Sequence, residues 1–175
     1  FTHLDDPTSV DTFVIGSSTY AIVASGGDDG VQIIDISDPT DIVAKGTAGF
    51  TNLSAAEHVS TFTIGSSTYA IVTGVNDDRL EIFDISDPDN IVAKDSATDE
   101  EDGFTELDGP IGVAIFTIGS STYAIVAACH GCTDDDLTGG VQIIGLGSTA
   151  DDGGSSMCAR LVILGNCGTI AINND

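Results

Sequence analysis

The sequence predicts an all-β chain of tandem four-stranded antiparallel blades, and three observations carry that expectation. The phrase Ile-Gly-Ser-Ser-Thr-Tyr-Ala-Ile-Val occurs unbroken three times, at residues 15–23, 64–72 and 118–126. A second phrase opens each unit, as Phe1-Thr-His-Leu, Phe50-Thr-Asn-Leu and Phe104-Thr-Glu-Leu, at intervals of 49 and 54 residues. Between these marks lie short runs of β-branched and aromatic residues broken by Gly, Ser, Asp and Pro, with no stretch of helical apolar spacing. A fixed period of this size is the mark of a repeat architecture.

Each unit divides into four strands. In the first they are residues 10–15, 19–25, 31–36 and 42–47, and in the second 59–64, 68–73, 80–85 and 91–96. The turns between them have their own chemistry. Gly16-Ser17-Ser18 suits a tight hairpin, and Gly27-Asp28-Asp29-Gly30 a second one. Asp38-Pro39 and Asp87-Pro88 place proline at the first central position of a type I turn. Tyr20-Ala-Ile-Val and Val31-Gln-Ile-Ile are nearly continuous in apolar character, whereas a strand wetted on one face would alternate. Sheets covered on both faces are what stacked propeller blades require, and a twelve-strand sandwich is the competing all-β fold.

Blade boundaries follow as residues 1–49, 50–103 and 104–147, with a divergent segment at 148–175. In that segment residues 161–164 read as the fourth strand of the third blade, and residues 169–172 as a strand for the same blade or for the sheet edge of a neighbouring subunit. Closed propellers have at least about four blades. Three blades leave an apolar face at each end, so the expectation is a homo-oligomer, closed into a ring or extended into a filament, or a piece of a longer array.

The residues Tyr20-Ala-Ile-Val-Ala and Gly30-Val-Gln-Ile-Ile-Asp-Ile-Ser-Asp-Pro-Thr resemble the LVIVD-repeat β-propellers, which include surface and secreted proteins of bacteria and archaea. Unit two keeps the pattern as Arg79-Leu-Glu-Ile-Phe-Asp-Ile-Ser-Asp-Pro-Asp. Unit three departs from it, reading Gly140-Val-Gln-Ile-Ile-Gly-Leu-Gly without the Asp-Pro turn. The resemblance covers residues 1–147 and implies an extracellular or cell-surface interaction scaffold. The family has no shared catalytic motif, so the resemblance implies no chemistry.

Composition narrows the partners. Of 175 residues, 28 are Asp or Glu against four Lys and Arg, a formal charge of −24. Nucleic acid and anionic membranes demand the opposite sign, so neither is an expected partner, though an acidic DNA mimic shares this composition. No segment reaches the roughly 18–20 apolar residues of a membrane-spanning helix. The chain starts at Phe1 without Met or a signal peptide, which reads as a processed product. The sequon Asn52-Leu53-Ser54 and an even count of cysteines favour an extracellular location, with Asn52 as a glycosylation site.

Chemistry-bearing residues gather where the units differ. A longer loop in unit three holds Cys129-His130-Gly131-Cys132 followed by Asp134, Asp135 and Asp136. Two thiolates and an imidazole are zinc-type ligands, but no second Cys pair stands at zinc spacing. Disulfides are the other reading, as Cys129–Cys132 and Cys158–Cys167. The order of residues is not that of c-type haem attachment. Acidic pairs recur at the second hairpin, as Asp28 and Asp29, Asp77 and Asp78, and the Asp134–Asp136 run. Clustered loop carboxylates can bind Ca2+, although none matches an EF-hand or the nonapeptide calcium repeat; otherwise they are solvated turn residues. Asp35 and Asp84 read as turn caps.

Catalysis finds little support. His3, His58 and His130 occupy non-equivalent positions, and no nucleophile elbow, phosphate loop or dinucleotide fingerprint occurs. Tyr20, Tyr69 and Tyr123 read as packing residues, with sugar stacking as the sharper alternative. The expected function is therefore a non-enzymatic, self-associating structural or adhesive module. A calcium-dependent module that binds a glycan or protein ligand is the alternative, and a propeller enzyme is the third reading.

Overall fold

The computed structural model describes residues 3–49, 53–101, 103–129 and 139–148, together with the backbone of residues 161–164. The described residues contain twelve strands and no helix. The first sheet holds β1 (Pro7–Ile15), β2 (Ser18–Ser25), β3 (Gly30–Asp35) and β4 (Val43–Gly49). The second holds β5 (Ala56–Ile64), β6 (Ser67–Gly74), β7 (Arg79–Asp84) and β8 (Val92–Thr98). The third holds β9 (Pro110–Ile118), β10 (Ser121–Cys129), β11 (Gly139–Ser148) and β12 (Leu161–Leu164). Each is an antiparallel meander with its strands in chain order, and β12 pairs with β11 at the edge of the third sheet.

The repeated phrase builds the first hairpin of every sheet. Ile15 pairs with Ser18, Ile64 with Ser67 and Ile118 with Ser121, leaving a two-residue turn in each case. Gly16, Gly65 and Gly119 lead these turns at φ of 62°, 62° and 61°. A positive φ at the first central position matches the right-handed twist of the flanking strands and requires glycine. At the third turn the N–H of Asp41 donates to the carbonyl of Asp38, and that of Asn90 to Asp87, each at 3.0 Å. Pro39 and Pro88 occupy the first central positions, as the turn chemistry expected.

The tyrosine of the phrase pairs across the hairpin with a phenylalanine. Phe13 stacks on Tyr20, Phe62 on Tyr69 and Phe116 on Tyr123, with ring centroids 5.4 Å apart in every sheet. Tyr20 is buried in the first core and Tyr69 packs against the second, whereas Phe116 and Tyr123 are partly exposed.

The sheets then stack face to face. Phe13, Ile22, Val31 and Ile33 of the first sheet form one core with Val59, Ala70, Val72 and Phe83 of the second. On the opposite face of the second sheet, Phe62, Ile71, Leu80 and Ile82 form another core with Val113, Ala124, Val126 and Ile144 of the third. The first strands are neighbours, β1 against β5 and β5 against β9. The middle sheet is thus covered on both faces, which explains its continuous apolar runs, and each Ile or Val so buried contributes about 1.5–3 kcal/mol. Among the described residues the outer sheets are open on one side each, and no ring closes.

Candidate functional site

The acidic pairs at the second hairpins do two separate structural jobs. The first aspartate of each pair braces its own sheet: Asp28 Oδ2 accepts the N–H of Asp5, and Asp77 Oδ2 that of Ser54, both at 2.8 Å. The second reaches the next sheet. Asp29 Oδ1 accepts the N–H of Ala55, and Asp78 Oδ1 that of Gly109, again at 2.8 Å. Asp29 and Asp78 themselves adopt φ of 55° and 50°, a left-handed conformation that aspartate tolerates better than most residues. Their targets are left-handed too: Ala55 at 54° and Gly109 at 62°. A pair of adjacent carboxylates therefore ties strand one to its own hairpin and to the blade that follows.

No group of three or more His, Cys, Asp or Glu side chains that could hold a metal occurs among the described residues. Asp134, Asp135 and Asp136, which belong to the same candidate Ca2+ set, lie outside the described residues. So do Asn52, Cys132, Cys158 and Cys167, and the strand expected at residues 169–172. Cys129 ends β10 opposite Gly139 and is disulfide-bonded.

Further contacts latch the first seam. Asp11 Oδ2 accepts both the N–H and the hydroxyl of Thr61. Thr8 donates its hydroxyl to the carbonyl of Ala56 at 2.7 Å. At the outer strand β4, Gly46 donates its N–H to the carbonyl of Pro88 at 2.8 Å, so the Asp-Pro turn also receives the preceding blade. A Cβ at Gly46 would lie 2.9 Å from that carbonyl oxygen, which fixes glycine there. Lys45 pairs with Asp89 beside it at 3.3 Å. At the second seam the hydroxyl of Ser60 donates to the carbonyl of Val113 at 3.0 Å.

Asp35 and Asp84 cap their turns as expected. Asp35 accepts the N–H of Ser37 at 2.9 Å, and Asp84 that of Ser86 at 3.0 Å. Asp35 is held below the usual carboxylate range, first by the Ser37 hydroxyl and then by its N–H. At Asp84 burial pushes the other way, but Ser86 and Lys94 together outweigh it and the value falls. Glu81 is raised by burial against the opposing pull of Arg79.

The strongest contrast lies on the outward faces. Strand register makes Val10, Val59 and Val113 the same residue of three units. Val59 is 1% exposed and Val113 4%, but Val10 is 62% exposed, because no sheet covers that face of the first sheet among the described residues. Val23 and Ile36 are likewise only partly buried where Val72, Val126, Ile85 and Leu146 are buried, although Ala21 and Ile34 stay covered. At the other end, Ile125 is 37% exposed, whereas its equivalents Ile22 and Ile71 are both at 0%. Val141 is also 37% exposed, against 0% for Val31 and 1% for Leu80. A hollow of about 360 Å3 lies on this face, lined among others by Gly112, Ala114, Ile125, Ala127 and Val141. The two open faces were legible in the sequence, but the carboxylate ties were not, because their partners lie 26 and 31 residues further along the chain.

No family model and no curated protein matches this chain. Among solved structures it is similar to GH43B of the xyloglucan PUL of Bacteroides ovatus, with a TM-score of 0.51 and 14% sequence identity. It is also similar to the GH32 beta-fructofuranosidase BmSUC1 of Bombyx mori, with a TM-score of 0.50 and 12% identity. Both are propeller enzymes. The likeness covers 93% and 82% of this chain but only 29% and 36% of those chains. At such identities it speaks to the fold alone: an all-β, propeller-like stack of antiparallel sheets.

Proposed function

We propose that this chain is an extracellular structural or adhesive repeat module of the LVIVD-repeat propeller kind, working by self-association through its blade faces and strand edges. The observation that carries this reading is the exposure of Val10 beside the burial of Val59 and Val113. A residue that is core in two units and surface in the third marks a contact surface awaiting a neighbour. The acidic composition supports a salt-rich exterior, where counterions screen a charge of −24.

No catalytic step is assigned to the chain. In support, the acidic hairpin pairs Asp28–Asp29 and Asp77–Asp78 are engaged with backbone N–H groups. The hydrolase activities named for the similar structures belong to chains of which this one matches only 29% and 36%. Size-exclusion chromatography with light scattering tests the proposal. Masses above 17.8 kDa at elevated salt are expected, and a monodisperse monomer with no binding of an exposed-hydrophobe dye would overturn it.

A further inference from the structure

We infer that the two open faces are complementary halves of one head-to-tail seam, joining the first sheet of one copy of this chain to the third sheet of another. This rests on the self-association proposed above and adds to it a polarity, a register and the residues that meet. The molecule holds two worked examples of the contact. At each internal seam a Phe-Tyr stack and three aliphatic residues from one sheet receive a valine from the first strand of the next. The third sheet presents that receiving set again as Phe116, Tyr123, Ile125, Val141 and Ile143. The first sheet presents the entering valine again as Val10.

Shape and backbone geometry agree with that pairing, although Gly139 stands in the third sheet where Asp29 and Asp78 supply their carboxylates. The hollow lies beside Ile125 and Val141, the equivalents of residues that share a core with Val59 and Val113 at the internal seams, and Val10 is exposed on its own face. Asp6 adopts φ of 53°, matching Ala55 and Gly109, the two positions whose N–H groups donate to a carboxylate of the preceding blade. The first sheet thus displays the same backbone geometry to an incoming neighbour. Two copies bring six sheets, within the four to eight blades of closed propellers.

The seam between copies is weaker than those within the chain. Gly112 and Ala114 stand where the first sheet has Ser9 and Asp11, so the third sheet has no counterpart of the Asp11–Thr61 latch on its inner strand. Association is accordingly reversible and is opposed by like charge unless salt is present.

Two variants that each close one face test the seam. Val10→Asp blocks the first sheet and Ile125→Asp the third. Both sites are exposed in the single chain, and Val141→Asp reads the same face should Ile125→Asp disturb folding. In about 1 M NaCl, where screening acts over ~3 Å, wild type is expected to associate and each variant alone to be monomeric by light scattering. Their equimolar mixture is expected to form a complex of one of each and nothing larger, through the one intact pair of faces. An associating wild type with a variant that still assembles alone, or a mixture that stays monomeric, overturns the head-to-tail seam and leaves self-association standing. A monomeric wild type overturns both, including the case in which the chain's own residues 165–175 or a different partner fill the third face.

Discussion

One oxygen of Asp11, on the first strand of the first sheet, accepts two hydrogen bonds from Thr61 on the first strand of the second. The backbone N–H lies at 2.7 Å and the hydroxyl at 2.8 Å. Hydrogen bonds to a charged acceptor are the stronger kind, and this one spans two blades rather than two strands of one sheet. Asp11→Ala is expected to cost about 1–3 kcal/mol in chemical denaturation, because it leaves a half-buried N–H without its acceptor. Asp11→Asn keeps an acceptor and is expected to cost less. A double-mutant cycle with Thr61→Val isolates the share of the loss that belongs to the hydroxyl, and a coupling energy near zero would refute that bond's contribution.

The second aspartate of each hairpin pair supports a parallel prediction. Asp29→Ala and Asp78→Ala each strip an acceptor from the N–H that opens the following blade, at Ala55 and Gly109. Each is expected to lower stability by about 1–3 kcal/mol. Because these carboxylates hold peptide groups, a chelator is expected to leave the melting temperature unchanged. A drop on chelation, restored by Ca2+, would show that the loops carry a metal as well.

Charge and burial set opposite responses to pH. Asp35, Asp38 and Asp84 are held below their usual range, Asp38 by the hydroxyl and then the N–H of Thr40. Such groups stabilise the fold above the unfolded pKa, and that contribution is lost as pH falls through the lower folded values. Glu81 is raised by burial, so its ionised form weakens the fold at neutral pH and its protonation relieves the cost as pH falls. Units one and three carry Gln32 and Gln142 at the equivalent position. Glu81→Gln is expected to raise the melting temperature at pH 7 and to lose that advantage in acid. An equal gain at both pH values would contradict burial of the charge as the cause.

Salt provides a separate handle. With a net charge of −24, copies of the chain repel one another as their apolar faces approach. Raising NaCl from about 0.01 M to 1 M shortens screening from ~30 Å to ~3 Å. The association constant measured by analytical ultracentrifugation is expected to rise over that range. A fall would mean that ion pairs, not apolar faces, join the copies.

Much of the fold was legible because a repeat states its own grammar three times. In units one and two the nonapeptide placed the first turn and second strand to within a residue, since glycine suits the turn and a β-branched run follows. The first strands, by contrast, begin at Pro7 and Ala56, three residues before the expected 10 and 59. Val31-Gln-Ile-Ile read as continuous apolar chain, and Val31 and Ile33 are indeed buried against the second blade. The strand at residues 161–164 was legible too, as a short aliphatic run with one free edge to join. The interblade ties were not. Asp29 looks like any turn residue until Ala55 is brought beside it, and Asp11 has Ser60 and Ala114 as its counterparts, so no repeated signal marks it. Gly46 was equally silent, because its reason is the carbonyl of Pro88 on another blade.

The central claim is that the outward faces are unfilled blade seams, and hydroxyl-radical footprinting read by mass spectrometry tests it most directly. Tyr20 and Tyr123 are the same residue of two units, one buried and one partly exposed, so the first serves as an internal standard. In dilute, low-salt solution, labelling is expected at Val10 and Tyr123 and not at Tyr20. As concentration and salt rise, Val10 and Tyr123 are expected to become protected together, to the level of Tyr20. Labelling that stays constant while the chain associates, or a Tyr123 already protected in the monomer, would contradict the claim.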